Sequence, residues 1–209
     1  MSIELHTEIF PEQQQLVFNT LSEQDWLSPF YLAGGTSLAL QIGHRQSIDF
    51  DFFTQGDFST IRIVDHLRNI GKFELFDRSV DTLNGVINDV QVSFLSYKYP
   101  LLNNLHQHLE LSLADISDIA LMKFEAISGR GSKKDFVVLY FLLEIFSISE
   151  LLGKYPEKYG VELSNHYHLL KSLVYFEDAE QQPMPTMLQN VSWEDIKRKI
   201  VLEVSKIQP

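Results

Sequence analysis

Leu32-Ala-Gly-Gly-Thr-Ser-Leu-Ala-Leu40, followed after three residues by His44-Arg-Gln-Ser-Ile-Asp-Phe-Asp-Phe-Phe53, decides how this 209-residue chain folds. An apolar run ends in two glycines and two hydroxyls, and the next run alternates acidic with bulky apolar residues. Strand side chains alternate between faces, so Asp49 and Asp51 share one face while Ile48, Phe50 and Phe52 are expected in a core. Carboxylates on one face repel unless a cation lies between them, and a hard divalent ion such as Mg²⁺ suits that position. Gly34 and Gly35 allow close approach of the backbone to an anion, and Thr36 and Ser37 open a helix whose first N–H groups favour phosphate. A lone Gly-Gly fits a simple turn and a lone Asp-x-Asp a solvated strand face. Side by side they read as a phosphate cradle next to a metal dyad.

Outward from this stretch, a helix is expected over Pro11 to Leu21, a strand over Phe30 to Ala33, a helix over Thr36 to Ile42 and a strand over Ser47 to Phe53. Ser59 can cap a helix that Gly71 stops. Phe73 to Arg78, Asp81 to Ile87 and Val90 to Tyr97 predict a strand meander turning at Asn88-Asp89. The first half is thus α/β with a small mixed sheet. After Pro100 the pattern turns helical: Asp115 to Gly129, an apolar segment from Lys134 to Phe146, then Ser164 to Phe176 and Ser192 to Ile207, with a loop at Gln181-Gln-Pro-Met-Pro185.

With 44% hydrophobic residues and no low-complexity tract, an ordinary folded globule is expected. The absence of cysteine excludes disulfides, thiolate metal sites and a cysteine nucleophile. The first residues lack the basic and apolar regions of a signal peptide, and no apolar run approaches the roughly 20 residues that span a bilayer. A cytoplasmic protein with no membrane partner is expected. A net charge of −11 argues against broad non-specific nucleic-acid binding, though not against a local basic groove, and suits a basic protein partner.

In the second half, Ile116, Ile119, Ala120, Phe124 and Ile127 fall on one helical arc, and Lys123 and Arg130 share it. A cation on a core-facing arc needs water, a carboxylate or a ligand. Asp135 and Glu125 are candidate ion-pair partners, and a bound phosphate is the functional alternative. Ser132 and Asp135 have capping-box spacing, while Lys133 or Lys134 could meet phosphate. Arg45 offers a fork suited to phosphate or carboxylate. His166 and His168, two apart on a helix, do not share a face and read as packing or surface residues. Tyr175, Phe176 and Trp193 read as bundle core.

These stretches resemble the AbiEii/AbiGii toxin family of nucleotidyltransferases, a branch of the DNA polymerase β-like nucleotidyltransferase superfamily. The resemblance is carried by Gly-Gly-Thr-x-Leu-Ala-Leu and His-Arg-x-Ser-x-Asp-x-Asp-Phe-Phe. It extends through Asp118-Ile-Ala-Leu-Met-Lys123, Arg130-Gly-Ser-Lys-Lys-Asp135 and Leu173-Val-Tyr-Phe-Glu-Asp-Ala-Glu180. It implies a nucleotidyltransferase-fold domain over residues 1–100 and a helical domain over 101–209. The implied reaction moves a nucleoside monophosphate from a nucleoside triphosphate to an acceptor, with RNA such as tRNA as acceptor in some members. Asp49 and Asp51 would hold Mg²⁺ or Mn²⁺, and Gly34, Gly35, Thr36 and Ser37 would cradle phosphates. Arg45, Lys123, Arg130 and Lys134 would bind the nucleotide, with Lys123 and the motif carboxylate Asp135 also counted as catalytic. The implied biology is a toxin of a toxin–antitoxin or phage-defence system, with an antitoxin protein as partner.

One departure from the superfamily stands out. A third carboxylate is expected on a strand beside Asp-x-Asp, and Val90 to Leu95 offers only Gln91 and Ser93 there. Asp89 could substitute only if the register brought it near. A degenerate nucleotide-binding or partner-binding module of the same fold is therefore the alternative to an active enzyme, and a transferase acting on a protein or small molecule is a second.

Overall fold

Tyr31–Ala33 (β1) is a three-residue strand buried along its whole length, and it sits inside a mixed sheet with neighbours on both sides. The computed structural model describes residues 4–207, which divide into two compact units: residues 4–100 with 104–115, and residues 101–103 with 116–207. In the first unit, Glu12–Ser22 (α1) follows Pro11, and β1 runs directly into Gly34–Ile42 (α2). Phe50–Thr54 (β2) comes next, then Thr60–Ile70 (α3), capped by Ser59 Oγ accepting from the Arg62 N–H. Phe73–Arg78 (β3), Thr82–Ile87 (β4) and Val90–Ser96 (β5) form the meander. Asn88 and Asp89 both have positive φ in its tight turn.

His106–His108 (β6) and Leu111–Leu113 (β7) complete the sheet, whose order is β3-β4-β5-β2-β1-β7-β6. This strand pair is absent from the sequence reading, which has the chain turn helical after Pro100. β1 pairs antiparallel with β2 and parallel with β7, and β2 pairs parallel with β5. One face carries Leu32, Phe50, Phe52, Val92, Phe94 and Leu113 into a core shared with Val17, Phe18 and Leu21 of α1 and Ile63, Val64 and Leu67 of α3. Phe52 stacks on Phe94 at 5.0 Å and Phe18 on Phe50 at 6.1 Å. Burying each such ring is worth about 1.5–3 kcal/mol. The alternation of β2 therefore holds Asp51 and Phe53 on the opposite face.

The expectation that Ile48 joins this core is overturned: it is 46% exposed. β2 begins at Phe50, so Ile48 and Asp49 belong to the approach to the strand and escape its alternation.

The second unit contains Ile116–Gly129 (α4), Lys133–Leu142 (α5), Ile148–Tyr159 (α6), His166–Leu173 (α7), the short turn Glu177–Glu180 (α8) and Trp193–Ser205 (α9). α4 packs against α5, α6 and α7, and α9 packs against α5 and α7. The sequence reading places no helix between residues 146 and 164, yet α6 forms there. Ser147 and Glu150 make a full capping box that starts it, and Leu151, Leu152 and Tyr155 are buried. Lys158 of α6 and Asp118 of α4 form an ion pair of 2.6 Å with both side chains fully buried. Asp118 also accepts from the backbone N–H groups of Leu102 and Asn103, so the pair is heavily hydrogen-bonded as well as charge-balanced. Tyr175, expected in the core, is half-exposed, while Phe176 packs against Phe136 and Trp193 as expected.

Candidate active site

The glycine pair is the first turn of α2 rather than a loop before it, with Ala33 as N-cap and no side chain capping the N–H groups. Those N–H groups have no acceptor within the helix. Gly34 has φ +73°, a conformation costly for residues with a Cβ, and a Cβ built there would stand 3.2 Å from Asp51 Oδ2. On Gly35 a Cβ would stand 2.2 Å from Arg45 Nη2, so the guanidinium occupies the space a side chain would fill. A carboxylate and a guanidinium thus lie against two successive glycines. Arg45 is buried, and its Nη1 donates to the Gln46 carbonyl at 2.6 Å.

Thr36 and Ser37 turn their hydroxyls inward. Thr36 Oγ1 bonds Ser47 Oγ at 2.7 Å and donates to the Asp49 carbonyl, which fixes the approach to β2 relative to α2. Ser37 is fully buried, and Gln41 one turn later donates to its Oγ and also to the Ala114 carbonyl. The hydroxyls hold the framework, and what they leave for an anion is the backbone of the turn. Gln41, which the sequence reading passes over, is the residue that ties this turn to the segment after β7. Its signal was the i, i+4 spacing from Ser37.

The register settles the question of a third carboxylate. Asp51 pairs with Ser93 across β2 and β5, and Ser93 pairs in turn with Asn84 of β4. Asp89 lies four residues back along β5, about 13 Å at roughly 3.3 Å per residue, so it cannot serve. Asp49 and Asp51 are carboxylates, the donor type a hard divalent cation prefers, but only Asp51 lies on β2, the shared strand face expected for the two is not formed by that strand, and the missing Cβ at Gly34 leaves room beside Asp51. Among the described residues, no group of three or more His, Asp or Glu side chains could hold a metal ion. The chemistry of this donor set fits a cation shared with phosphate oxygens better than one caged by protein alone.

In the second unit Asp135 gathers the other candidates. Its carboxylate accepts from Lys123 Nζ at 2.8 Å, Arg130 Nε at 3.0 Å and Ser132 Oγ at 2.6 Å. Burial pushes the Asp135 carboxyl up, but the Lys123 ammonium and the hydrogen bonds from Arg130, Lys123 and Ser132 outweigh it and hold the group well below the usual carboxylate range. The capping box expected from Ser132 and Asp135 does not form. Ser132 donates to the Asp135 side chain instead of accepting from the helix. Lys133 is buried against the Trp193 ring and donates to the Glu180 carbonyl, whereas Lys134 is exposed and stands apart from the cluster.

Comparison with known proteins bears on the family and the fold. Residues 15–115 match the family described as nucleotidyl transferase AbiEii toxin, type IV toxin–antitoxin system. An uncharacterised protein of Aquifex aeolicus is 38% identical over 182 residues, covering 82% of this chain and 86% of that one. Among solved structures, the chain is similar to MenT4, a nucleotidyltransferase toxin of Mycobacterium tuberculosis, with a TM-score of 0.59 and 14% identity over 95% of this chain and 87% of the other. It is also similar to JHP933 from Helicobacter pylori, with a TM-score of 0.57 and 15% identity over 94% and 92%. The fold is that of the nucleotidyltransferases, and the chain belongs to the AbiEii nucleotidyltransferase toxin family.

Proposed function

We propose that the protein transfers a nucleoside monophosphate from a nucleoside triphosphate to an RNA acceptor such as tRNA, with pyrophosphate as the leaving group. The observation that carries this reading is the pair of contacts at Gly34 and Gly35, where Asp51 and Arg45 flank an uncapped helix start. Residues 4–100 with 104–115 act as the nucleotidyltransferase domain, and residues 101–103 with 116–207, rather than the whole of 101–209, as the helical domain. Asp49 and Asp51 hold Mg²⁺ or Mn²⁺, which when bound neutralises charge on phosphate oxygens. The backbone from Gly34 to Ser37 receives phosphate, and Arg45 supplies a fork to it. Lys123, Arg130 and Lys134 contribute positive charge to nucleotide binding. Asp135 orients Lys123 and Arg130, the bonds being those already described. As a member of a toxin family, the protein acts in the cytoplasm within a toxin–antitoxin or phage-defence system and is countered by an antitoxin protein.

Incubation with each labelled nucleoside triphosphate, Mg²⁺ and total RNA tests the reading. Label should enter an RNA fraction with one nucleotide preferred, and the Asp49→Asn, Asp51→Asn double variant should lose both label transfer and Mg²⁺-dependent nucleotide binding. Transfer into protein or a small molecule instead of RNA would move the acceptor class. A second reading has its own observation: Ser93 stands where a third carboxylate would complete the site. Nucleotide binding without transfer to any acceptor would favour a degenerate binding module.

A further inference from the structure

Beyond the Asp135 cluster, the second unit contains a cavity of about 270 Å³ between the C-terminal end of α4 and one side of α7. His168, Lys171 and Ser172 line it from one face of α7, and Tyr175, two residues beyond the end of that helix, lines it as well. Ser128, Arg130 and Asp178 complete the polar side chains of the lining. Among the described residues, neither the His168 ring nor the Lys171 ammonium has a hydrogen-bond or ion-pair partner. Tyr175 presents a half-exposed ring, with its hydroxyl donating to Glu177 at 3.0 Å. The last carbonyls of α4 face the end of their helix, where intrahelical donors run out.

The lining is mixed in a particular way. The Lys171 ammonium and an imidazole suit a phosphate, with Arg130 beside them already bound to Asp135, the half-exposed phenol ring suits a base, and the helix-end carbonyls with Asp178 suit hydroxyl or amino donors. A bare anion would use only the first of these. The volume lies just below the roughly 300–1,000 Å³ of small-molecule pockets, which suits one nucleotide unit. We propose that this cavity binds one nucleotide unit of a single-stranded RNA, the phosphate on Lys171, the base on Tyr175 and the 2′-hydroxyl toward the α4 carbonyls. Stacking on an aromatic ring together with a cation on the backbone is how single strands are held without base pairing. The proposal rests on the RNA-acceptor reading above.

Direct binding separates the two. Fluorescence anisotropy of a short labelled oligouridylate and oligoadenylate is measured against the full chain at several salt concentrations, without nucleoside triphosphate. Matched oligodeoxynucleotides and free nucleoside monophosphates serve as further arms. Wild-type protein should bind the oligoribonucleotide more tightly than the deoxy form. Lys171→Ala should lower the salt dependence by about 0.7 in log–log slope, as loss of one phosphate contact on a single strand does. Tyr175→Ala should weaken binding about tenfold. Amide chemical-shift changes in the wild-type protein should fall on residues 168–178, a readout independent of whether either variant folds. Equal binding by wild type and both variants, shift changes elsewhere, or no binding by the wild type would overturn the proposal. Shift changes with free monophosphate alone would overturn the RNA-strand assignment. Binding here without label transfer counts against the transferase reading and leaves this one standing.

Discussion

Asp51 of β2 stands directly across from Ser93 of β5 in the parallel register, and Ser93 is almost wholly buried. A carboxylate in place of this serine would bring charge repulsion and, in the proposed site, a further metal ligand or base. Ser93→Asp is expected to raise label transfer roughly a hundredfold if that group limits turnover. The same change puts a second carboxylate beside Asp51, so without divalent cation it should cost about 2 kcal/mol or more. Thermal melts with and without Mg²⁺ check this: a melting temperature that gains no added Mg²⁺ dependence would show that position 93 does not share a cation with Asp51.

Gly35 is where a minimal substitution reaches a distant side chain. In Gly35→Ala the new methyl must displace Arg45 Nη2, the far end of a flexible chain, so folding should change by no more than about 1 kcal/mol. Triphosphate affinity should fall about tenfold or more, the worth of a charge-assisted hydrogen bond. Combining Gly35→Ala with Arg45→Met should add little further loss by calorimetry, because both act through one guanidinium. Additive losses would place the effect in the helix backbone instead.

Much of this arrangement is legible in the sequence, for local reasons. The alternation Phe50-Asp-Phe52 reports a strand with one buried face, and Ser59 and Gly71 bracket α3 by capping chemistry alone. β6 and β7 escape because three-residue strands are too short to show a period, and only their partners in the sheet define them. α6 is hidden by Gly153 and Pro156, two helix-disfavouring residues that tertiary burial of Leu151, Leu152 and Tyr155 overrides. The partner of Lys123 is also non-local. Asp135 and Glu125 are equally available in sequence, but Glu125 takes the Tyr155 hydroxyl and Asp135 takes the ammonium.

The buried pair Lys158–Asp118 ties α6 to α4 and to residues 102 and 103. Lys158→Met leaves a buried carboxylate with amide donors only, and should destabilise the protein by about 3–5 kcal/mol in urea titration. Asp118→Leu should be at least as damaging, because it orphans the Leu102 and Asn103 N–H groups as well as the ammonium.

Asp135 makes stability depend on acid. Its folded-state pKa lies below the ordinary value of 3.8, so its contribution is fully present above that value and is lost as pH falls below it. Wild-type stability should therefore drop more steeply below about pH 4 than that of Asp135→Asn, which is already weakened near neutrality. Parallel pH profiles of the two proteins would mean that other carboxylates govern acid unfolding.

Lys123 pairs with Asp135, and this structural role separates experimentally from the nucleotide role proposed for it. Lys123→Met removes the ammonium from Asp135 but leaves Arg130 and Ser132 on the carboxylate, so the cost should be about 1–3 kcal/mol rather than loss of the fold. If the ammonium also neutralises the triphosphate tail, affinity for a nucleoside triphosphate should fall about tenfold while that for the monophosphate changes little. Lys123→Arg keeps the charge and should recover part of both. A variant that loses stability as stated, yet binds tri- and monophosphate as the wild type does, would assign Lys123 to Asp135 alone.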